Sequence, residues 1–118
     1  MKQRICGVDV DVIISDPSLW STNGMGRSSQ VDSKIFLRDG MPPDVMKSTN
    51  VHEVIHMILD MNGFSEQTNN EALVATLSNG VTAWIRDNRE MFKAWIYDWD
   101  EDARPHGFIT SSDTSGTP

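Results

Sequence analysis

The segment His52-Glu53-Val54-Ile55-His56 limits the fold of this chain more than any other part of its sequence. Residues four apart on an α-helix project from the same side, one turn apart, so a helix here brings His52 and His56 together. Two imidazoles at that spacing can bind one zinc ion, and Glu53 lies where it can hold a water molecule rather than the metal. The motif therefore predicts a helix with the ligand pair and base typical of a zinc peptidase. The alternative is a helix with two surface histidines and a solvated glutamate.

The composition is compatible with one modest domain and argues against several classes of partner. The chain has 118 residues, a net charge of −7 and a single cysteine, Cys6. Its Lys and Arg residues are scattered, so no basic face is available for phosphates and we expect no nucleic-acid partner. One cysteine excludes an internal disulfide framework and is typical of a reducing compartment, which predicts a cytoplasmic location. We find neither a signal peptide nor an apolar run of membrane-spanning length, so no membrane partner is expected.

The first third of the chain has the patterns of a small sheet. Residues 7–14 alternate valine with aspartate, which predicts a strand with one solvent-facing side. Residues 34–38 predict a second strand, and residues 27–30 could pair with it as a hairpin across residues 31–33. These segments predict a small antiparallel or mixed sheet.

The rest of the chain is predicted to be helical. The motif helix should run from about Asp44 to Met61, where Asn62-Gly63 is a stop signal. A second apolar pattern at helical spacing starts near Asn70 and reaches Trp99, as one helix or as two with a break near residues 86–89. Val51, Ile55, Ile58 and Leu59 form one apolar stripe along the motif helix, and Val54 and Met57 flank it.

These patterns predict an α+β fold in a single domain over residues 1–100. Residues 101–118 are acidic and then rich in Ser, Thr and Gly, and we expect them to form a flexible tail without its own core.

A catalytic zinc ion needs a third protein ligand and an open position. Glu71, at the start of the second helix, is the best candidate, and Glu66 in the preceding connector is the alternative. Glu71 also has a structural alternative, because Thr68 and Glu71 have the spacing of a capping box that would direct the carboxylate to a backbone N–H.

The residues from His52 to Leu59, followed by Asn70 to Val81, resemble the small, phage-associated zinc metallopeptidase-like proteins. These proteins are of the gluzincin type, with H-E-x-x-H on one helix and a ligand glutamate on the next. The resemblance covers about residues 5–86. It implies zinc as the cofactor, with His52, His56 and Glu71 as the metal ligands and Glu53 as the catalytic base.

The same resemblance implies a zincin-like core, in which a small curved sheet packs on two or three helices. The strand over residues 34–38 would line the substrate cleft, through Ile35, Phe36 and Leu37.

The chain departs from the gluzincin pattern at two points. Many gluzincins have an acidic residue four positions after the ligand glutamate, where this chain has Ala75. The residues that could orient the ligands in its place are Asp60, Asn70 and Asn79. Two residues, Tyr97 and His106, are of the types that commonly stabilise the oxyanion, and no motif places either of them.

The expected function is zinc-dependent hydrolysis of peptide bonds in a peptide or protein substrate, in the host cytoplasm if the chain is phage-encoded. One alternative is a non-catalytic interaction module of phage origin, either stabilised by a metal or free of metal. Another is hydrolysis of a non-peptide amide, as in a cell wall.

Overall fold

In the computed structural model, residues 1–16 and 24–99 are described, and they form four strands and four helices. This confirms the predicted α+β class, whereas the predicted tail, residues 101–118, lies outside the described residues. The elements are β1 (Lys2–Ile5), β2 (Val8–Ser15), β3 (Gly26–Ser29), β4 (Lys34–Arg38), α1 (Pro43–Met61), α2 (Ser65–Thr68), α3 (Glu71–Asp87) and α4 (Arg89–Trp99).

The four strands form one mixed sheet in the order β1-β2-β4-β3. β2 and β4 are parallel, and the outer pairs β1–β2 and β3–β4 are antiparallel. The predicted hairpin between β3 and β4 is therefore confirmed. β1 was not predicted, because its residues are mostly polar. Its signal is the turn at Cys6 and Gly7, whose φ angles of 51° and 79° are those of a two-residue hairpin loop.

α1 packs against one face of this sheet, and the face that it buries differs from the predicted stripe. Met57 is fully buried at 0% exposure, whereas Ile58 is 38% exposed. Apolar residues occur all around α1, so the sequence alone does not select the side that the sheet covers, and that side includes the flanking residues Val54 and Met57. The side chains of α1 that pack against the sheet core are Met46, Val54, Met57 and Met61.

The chain forms two compact units, Met1–Ala83 and Trp84–Pro118, and the boundary between them falls within α3. The second unit is described as far as Trp99. α3 ends at Asp87 and α4 begins at Arg89. Asn88 separates them, and its N–H donates to the carbonyl of Ile85, so the predicted break is confirmed. Residues 1–100, predicted as one domain, include the first unit and the described part of the second.

Within the described residues, no helix is both long enough and apolar enough to cross a membrane.

Candidate metal centre

The histidines of α1 and the first residue of α3 meet at one point. His52 and His56 project from the same side of α1, with ring centroids 4.9 Å apart. The Oε1 atom of Glu71 lies 3.1 Å from Nε2 of His52 and 3.0 Å from Nε2 of His56. One ligand atom from each residue lies within 4.8 Å of the other two. The structure thus brings together the three residues that were predicted to bind the metal.

The two distances from Glu71 to the imidazoles suit a zinc ion. Tetrahedral bonds of about 2.0–2.1 Å separate neighbouring ligand atoms by about 3.3 Å, close to the distances between Glu71 and the two imidazoles. Two imidazoles and one carboxylate are also a donor set of catalytic zinc sites, which keep a fourth position open. The side chain of Glu71 is 71% exposed, so the cluster is accessible from solvent.

Hydroxyl groups fix the orientation of both rings. Thr68 Oγ1 lies 3.0 Å from Nδ1 of His56 and donates its own proton to the carbonyl oxygen of His56. Ser78 Oγ lies 3.4 Å from Nδ1 of His52 and donates to the carbonyl of Ala75. A hydroxyl that donates to a carbonyl can accept the Nδ1 proton of the imidazole, and this tautomer leaves Nε2 free to bind a metal.

This arrangement leaves the Nε2 lone pairs directed at Glu71. A lone pair and a carboxylate oxygen about 3.0 Å apart repel each other unless a proton or a metal cation lies between them. A proton on Nε2 that donates to Glu71, or a metal cation at the same point, satisfies both groups.

The residues predicted to orient the ligands lie elsewhere in the site. Asn70 caps α3, because its Oδ1 accepts the N–H of Leu73 at 3.0 Å. Asp60 and Asn79 line cavities on either side of the cluster. The observed contacts of the imidazoles are with Thr68 and Ser78, which the sequence analysis did not single out for this role. Ser78 had a signal, since it lies seven residues, or two turns, after Glu71 on the same helix.

The carboxylate of Glu71 contacts the histidines, whereas the predicted capping-box interaction with Thr68 is replaced by the Asn70 cap. Glu66, the alternative ligand, is exposed on α2 and does not belong to the cluster among the described residues. Tyr97 lies on α4 in the second unit, and His106 lies outside the described residues.

Glu53 lies beneath the cluster, where it is only 6% exposed. Burial raises the pKa of its carboxyl group, while His56, His52 and a hydrogen bond from Ser28 act in the opposite direction without cancelling the effect. For Glu71, partial burial acts to raise the pKa, but the hydrogen bonds from His56 and His52 outweigh it, so the pKa is lowered. The surroundings therefore raise the pKa of Glu53 and lower the pKa of Glu71.

The strand beside Glu53 is β3, whereas the strand predicted to line a substrate cleft is β4. Ile35 and Leu37 are buried in β4, and β4 is paired on both sides, with β2 and β3. Phe36 points to the opposite face of the sheet, where the guanidinium of Arg27 lies 4.6 Å from its ring centre. An internal strand has no main-chain groups left for a ligand, and Ile35, Phe36 and Leu37 line neither of the two cavities beside Glu53.

β3 is at the edge of the sheet and has main-chain groups directed away from it. The N–H of Arg38 donates to the carbonyl of Met25, so alternate residues of β3 are the ones bonded to β4. The N–H and C=O groups of Gly26 and Ser28 then point outward, toward the site.

Two cavities lie on either side of Glu53 and Glu71. The cavity beside His52 has a volume of about 350 Å³ and the one beside His56 about 300 Å³. The His52 cavity is also lined by Met25, Gly26, Ser48, Thr49, Ser78 and Asn79. The His56 cavity is also lined by Gly26, Arg27, Ser28, Asp60, Thr68 and Asn69.

Comparisons of the chain with protein-family models, with curated proteins and with solved structures give no match, so the site's own residues are the basis for assigning a function.

Proposed function

We propose that this protein is a zinc-dependent metallopeptidase with a zincin-like core. The main supporting observation is that one oxygen of Glu71 faces the Nε2 atoms of both His52 and His56, with the buried carboxylate of Glu53 beside them. His52, His56 and Glu71 would hold the metal, and the accessible side of the cluster leaves room for water and substrate.

A bound zinc ion would lower the pKa of a coordinated water to about 7 and polarise the carbonyl of the scissile bond. The protein itself supplies the proton transfers. Glu53 accepts a proton from the attacking water and later donates it to the leaving nitrogen, a role that suits a carboxyl group whose pKa is raised by burial. The hydrogen bond from Ser28 holds the Glu53 carboxylate in place during these transfers.

The substrate in this proposal is an extended peptide or protein segment. It forms main-chain hydrogen bonds with the outward-facing groups of Gly26 and Ser28, as an added strand at the edge of the sheet. The two cavities then receive its side chains on either side of the scissile bond. The proposed location is the cytoplasm, that of the host if the chain is phage-encoded, because a single cysteine suits a reducing compartment.

The experiment that tests this function compares the wild type with Glu53→Gln. Protein purified without chelators is analysed for metal content and then incubated with a peptide library, whose cleavage is followed by mass spectrometry. We expect about one zinc per chain in both proteins and a loss of cleavage of about 10²–10⁴-fold in Glu53→Gln. Equal cleavage by the two proteins would exclude Glu53 as the base.

The second candidate is a non-catalytic interaction module, with or without a structural metal. It is favoured by the exposed apolar side chains of α4, where Ile96 is 60% and Trp99 is 77% exposed. Zinc binding without cleavage of any peptide would support this alternative over the peptidase.

A further inference from the structure

Asp60 continues the line of the metal-binding histidines along α1. His52, His56 and Asp60 are spaced four residues apart, so they follow one another on the same side of the helix. With a rise of 1.5 Å per residue, Asp60 lies about 6 Å beyond His56, roughly the spacing of two side chains on one face of an extended peptide, two residues apart. Asp60 is half-buried and lines the cavity of about 300 Å³ beside His56.

The negative charge of Asp60 is not compensated by the described part of the chain. No ion pair there involves Asp60. Asp60 also lies in the last turn of α1, which has no basic residue. The carbonyl end of a helix carries a partial negative charge, which favours a cation and disfavours a carboxylate. Both features leave an unneutralised negative potential in the His56 cavity.

Arg27 lines the same cavity but is engaged elsewhere. Its guanidinium lies over the ring of Phe36, 4.6 Å from the ring centre. Arg27 and Phe36 are partners in the β3–β4 register, and Phe36 lies between the buried residues Ile35 and Leu37. Because side chains alternate along a strand, Phe36 and Arg27 occupy the sheet face opposite to α1.

Two further polar groups of this cavity have oxygen acceptors that suit a cation. Besides the Asp60 carboxylate, the lining includes the hydroxyl of Thr68 and the side-chain amide of Asn69. An ammonium or guanidinium group has several donors and no acceptor, so it can use these oxygens together. A cavity of about 300 Å³ also has room for the long side chain that carries such a group.

We propose that Asp60 is a specificity-determining residue that selects lysine or arginine in the substrate residue entering the His56 cavity. This inference rests on the proposed peptidase function. β3 runs from the His52 cavity, lined by Gly24 and Gly26, to the His56 cavity, lined by Gly26 and Ser28. A peptide antiparallel to β3 therefore places its N-terminal part, and the selected side chain, in the His56 cavity.

The test uses zinc-loaded full-length protein and matched peptides with Lys, Arg, Glu or uncharged norleucine on either side of the scissile bond. For the wild type, we expect kcat/KM to be about tenfold higher with Lys or Arg than with norleucine. Asp60→Asn should remove this preference, and Asp60→Lys should shift it toward Glu. The control is Asp44→Asn, which removes the same charge from the exposed first turn of α1, about 24 Å away along the helix, and should keep the preference. A preference that persists in Asp60→Asn would overturn the inference.

A binding measurement separates this inference from the peptidase proposal. Zinc-loaded Glu53→Gln is titrated with the same peptides carrying a fluorophore, and the anisotropy is measured with and without the additional change Asp60→Asn. If no peptide is cleaved but the Lys peptide binds about tenfold more tightly than the norleucine peptide only when Asp60 is present, the peptidase proposal fails and the role of Asp60 stands. Equal binding of both peptides in the presence of Asp60 would overturn the role of Asp60, whether or not cleavage occurs.

Discussion

Gly26 and Glu53 lie so close together that no other residue fits at position 26 without displacement. A Cβ atom added to Gly26 would be 3.0 Å from both Cγ and Oε2 of Glu53, and 2.7 Å from Cγ2 of Thr49. The absence of a side chain therefore lets the edge strand β3 lie directly against α1 at the proposed catalytic carboxylate. The same close approach allows Ser28, two residues along β3, to reach Glu53.

We predict that Gly26→Ala separates β3 from α1 at this point. The added methyl group meets the side chains of Glu53 and Thr49. Relief of such a clash typically costs about 1–3 kcal/mol. The free energy of unfolding in urea should fall by about that amount. Cleavage should fall more than zinc content, because the displaced groups are Glu53 and β3 rather than the proposed metal ligands.

The matched control for this change is Gly80→Ala in α3. A Cβ atom at Gly80 would have no neighbour within 4 Å, and the residue lies inside a helix. Alanine is favoured over glycine in a helix interior by about 0.5–1 kcal/mol, so this variant should be more stable than the wild type. If both variants changed stability in the same direction, the close approach of β3 and α1 would not be the cause.

The hydroxyl of Thr68 should control metal affinity through His56. Thr68→Val keeps the shape of the side chain but removes the hydroxyl that is hydrogen-bonded to Nδ1 of His56. Loss of a hydrogen bond to a ligating imidazole typically weakens metal binding by about 10–100-fold, which competition with a coloured chelator would measure. Ser78→Ala should have a smaller effect, because its oxygen lies farther from Nδ1 of His52, at 3.4 Å.

The control for Thr68→Val is Thr76→Val. Thr76 is an exposed residue of α3 whose hydroxyl donates to the carbonyl of Ala72, with no contact to either histidine among the described residues. Zinc affinity should not change in this variant. A loss of affinity in Thr76→Val equal to that in Thr68→Val would show that general destabilisation, not orientation of His56, is responsible.

The parts of the site that were predictable from the sequence are those set by the geometry of one helix. The spacing of His52 and His56 places them on one side of α1 whatever the helix packs against. The buried face of α1 could not be predicted, because it depends on the sheet. Glu53 and Met57 lie on that face, whereas the more hydrophobic Ile58 is exposed.

The order of the strands in the sheet could not be predicted from the local sequence patterns either. The resemblance implies that β4 lines the cleft, but β4 lies between two neighbouring strands, which agrees with its hydrophobic sequence. β3 is polar and short because it lies at the edge. Glu71 could be separated from Glu66 only by the path of the chain through α2, which determines which carboxylate reaches the histidines.

The metal-free protein should show the cost of burying the charge of Glu53. Its carboxyl pKa is raised above the ordinary value of 4.5 by burial, so the folded state binds more protons than the unfolded chain between these two pKa values. The free energy of unfolding then decreases as pH rises through this window. Glu53→Gln removes the cost, so it should be more stable than the wild type at neutral pH, with a difference that disappears as pH falls below about 4.5.

This comparison is made by urea unfolding in the presence of a chelator, with Glu66→Gln as the control for the same chemical change at an exposed position of α2. A stability difference between Glu53→Gln and the wild type that is constant with pH would contradict the proposed effect of burial.

Removal of zinc should destabilise the first unit, because the ion would join residues of α1 and α3 that are far apart in sequence. At a free zinc concentration of about 100 times Kd, binding contributes about 2.7 kcal/mol to the free energy of unfolding, so Tm should rise with zinc and fall with chelator. His56→Ala should abolish the response, whereas His106→Ala, which changes the one other histidine of the chain, should retain it. Thermal unfolding followed by circular dichroism measures the response. If the Tm of the wild type did not depend on zinc, or if His106→Ala lost the response while His56→Ala kept it, the cluster of His52, His56 and Glu71 would not be the metal site.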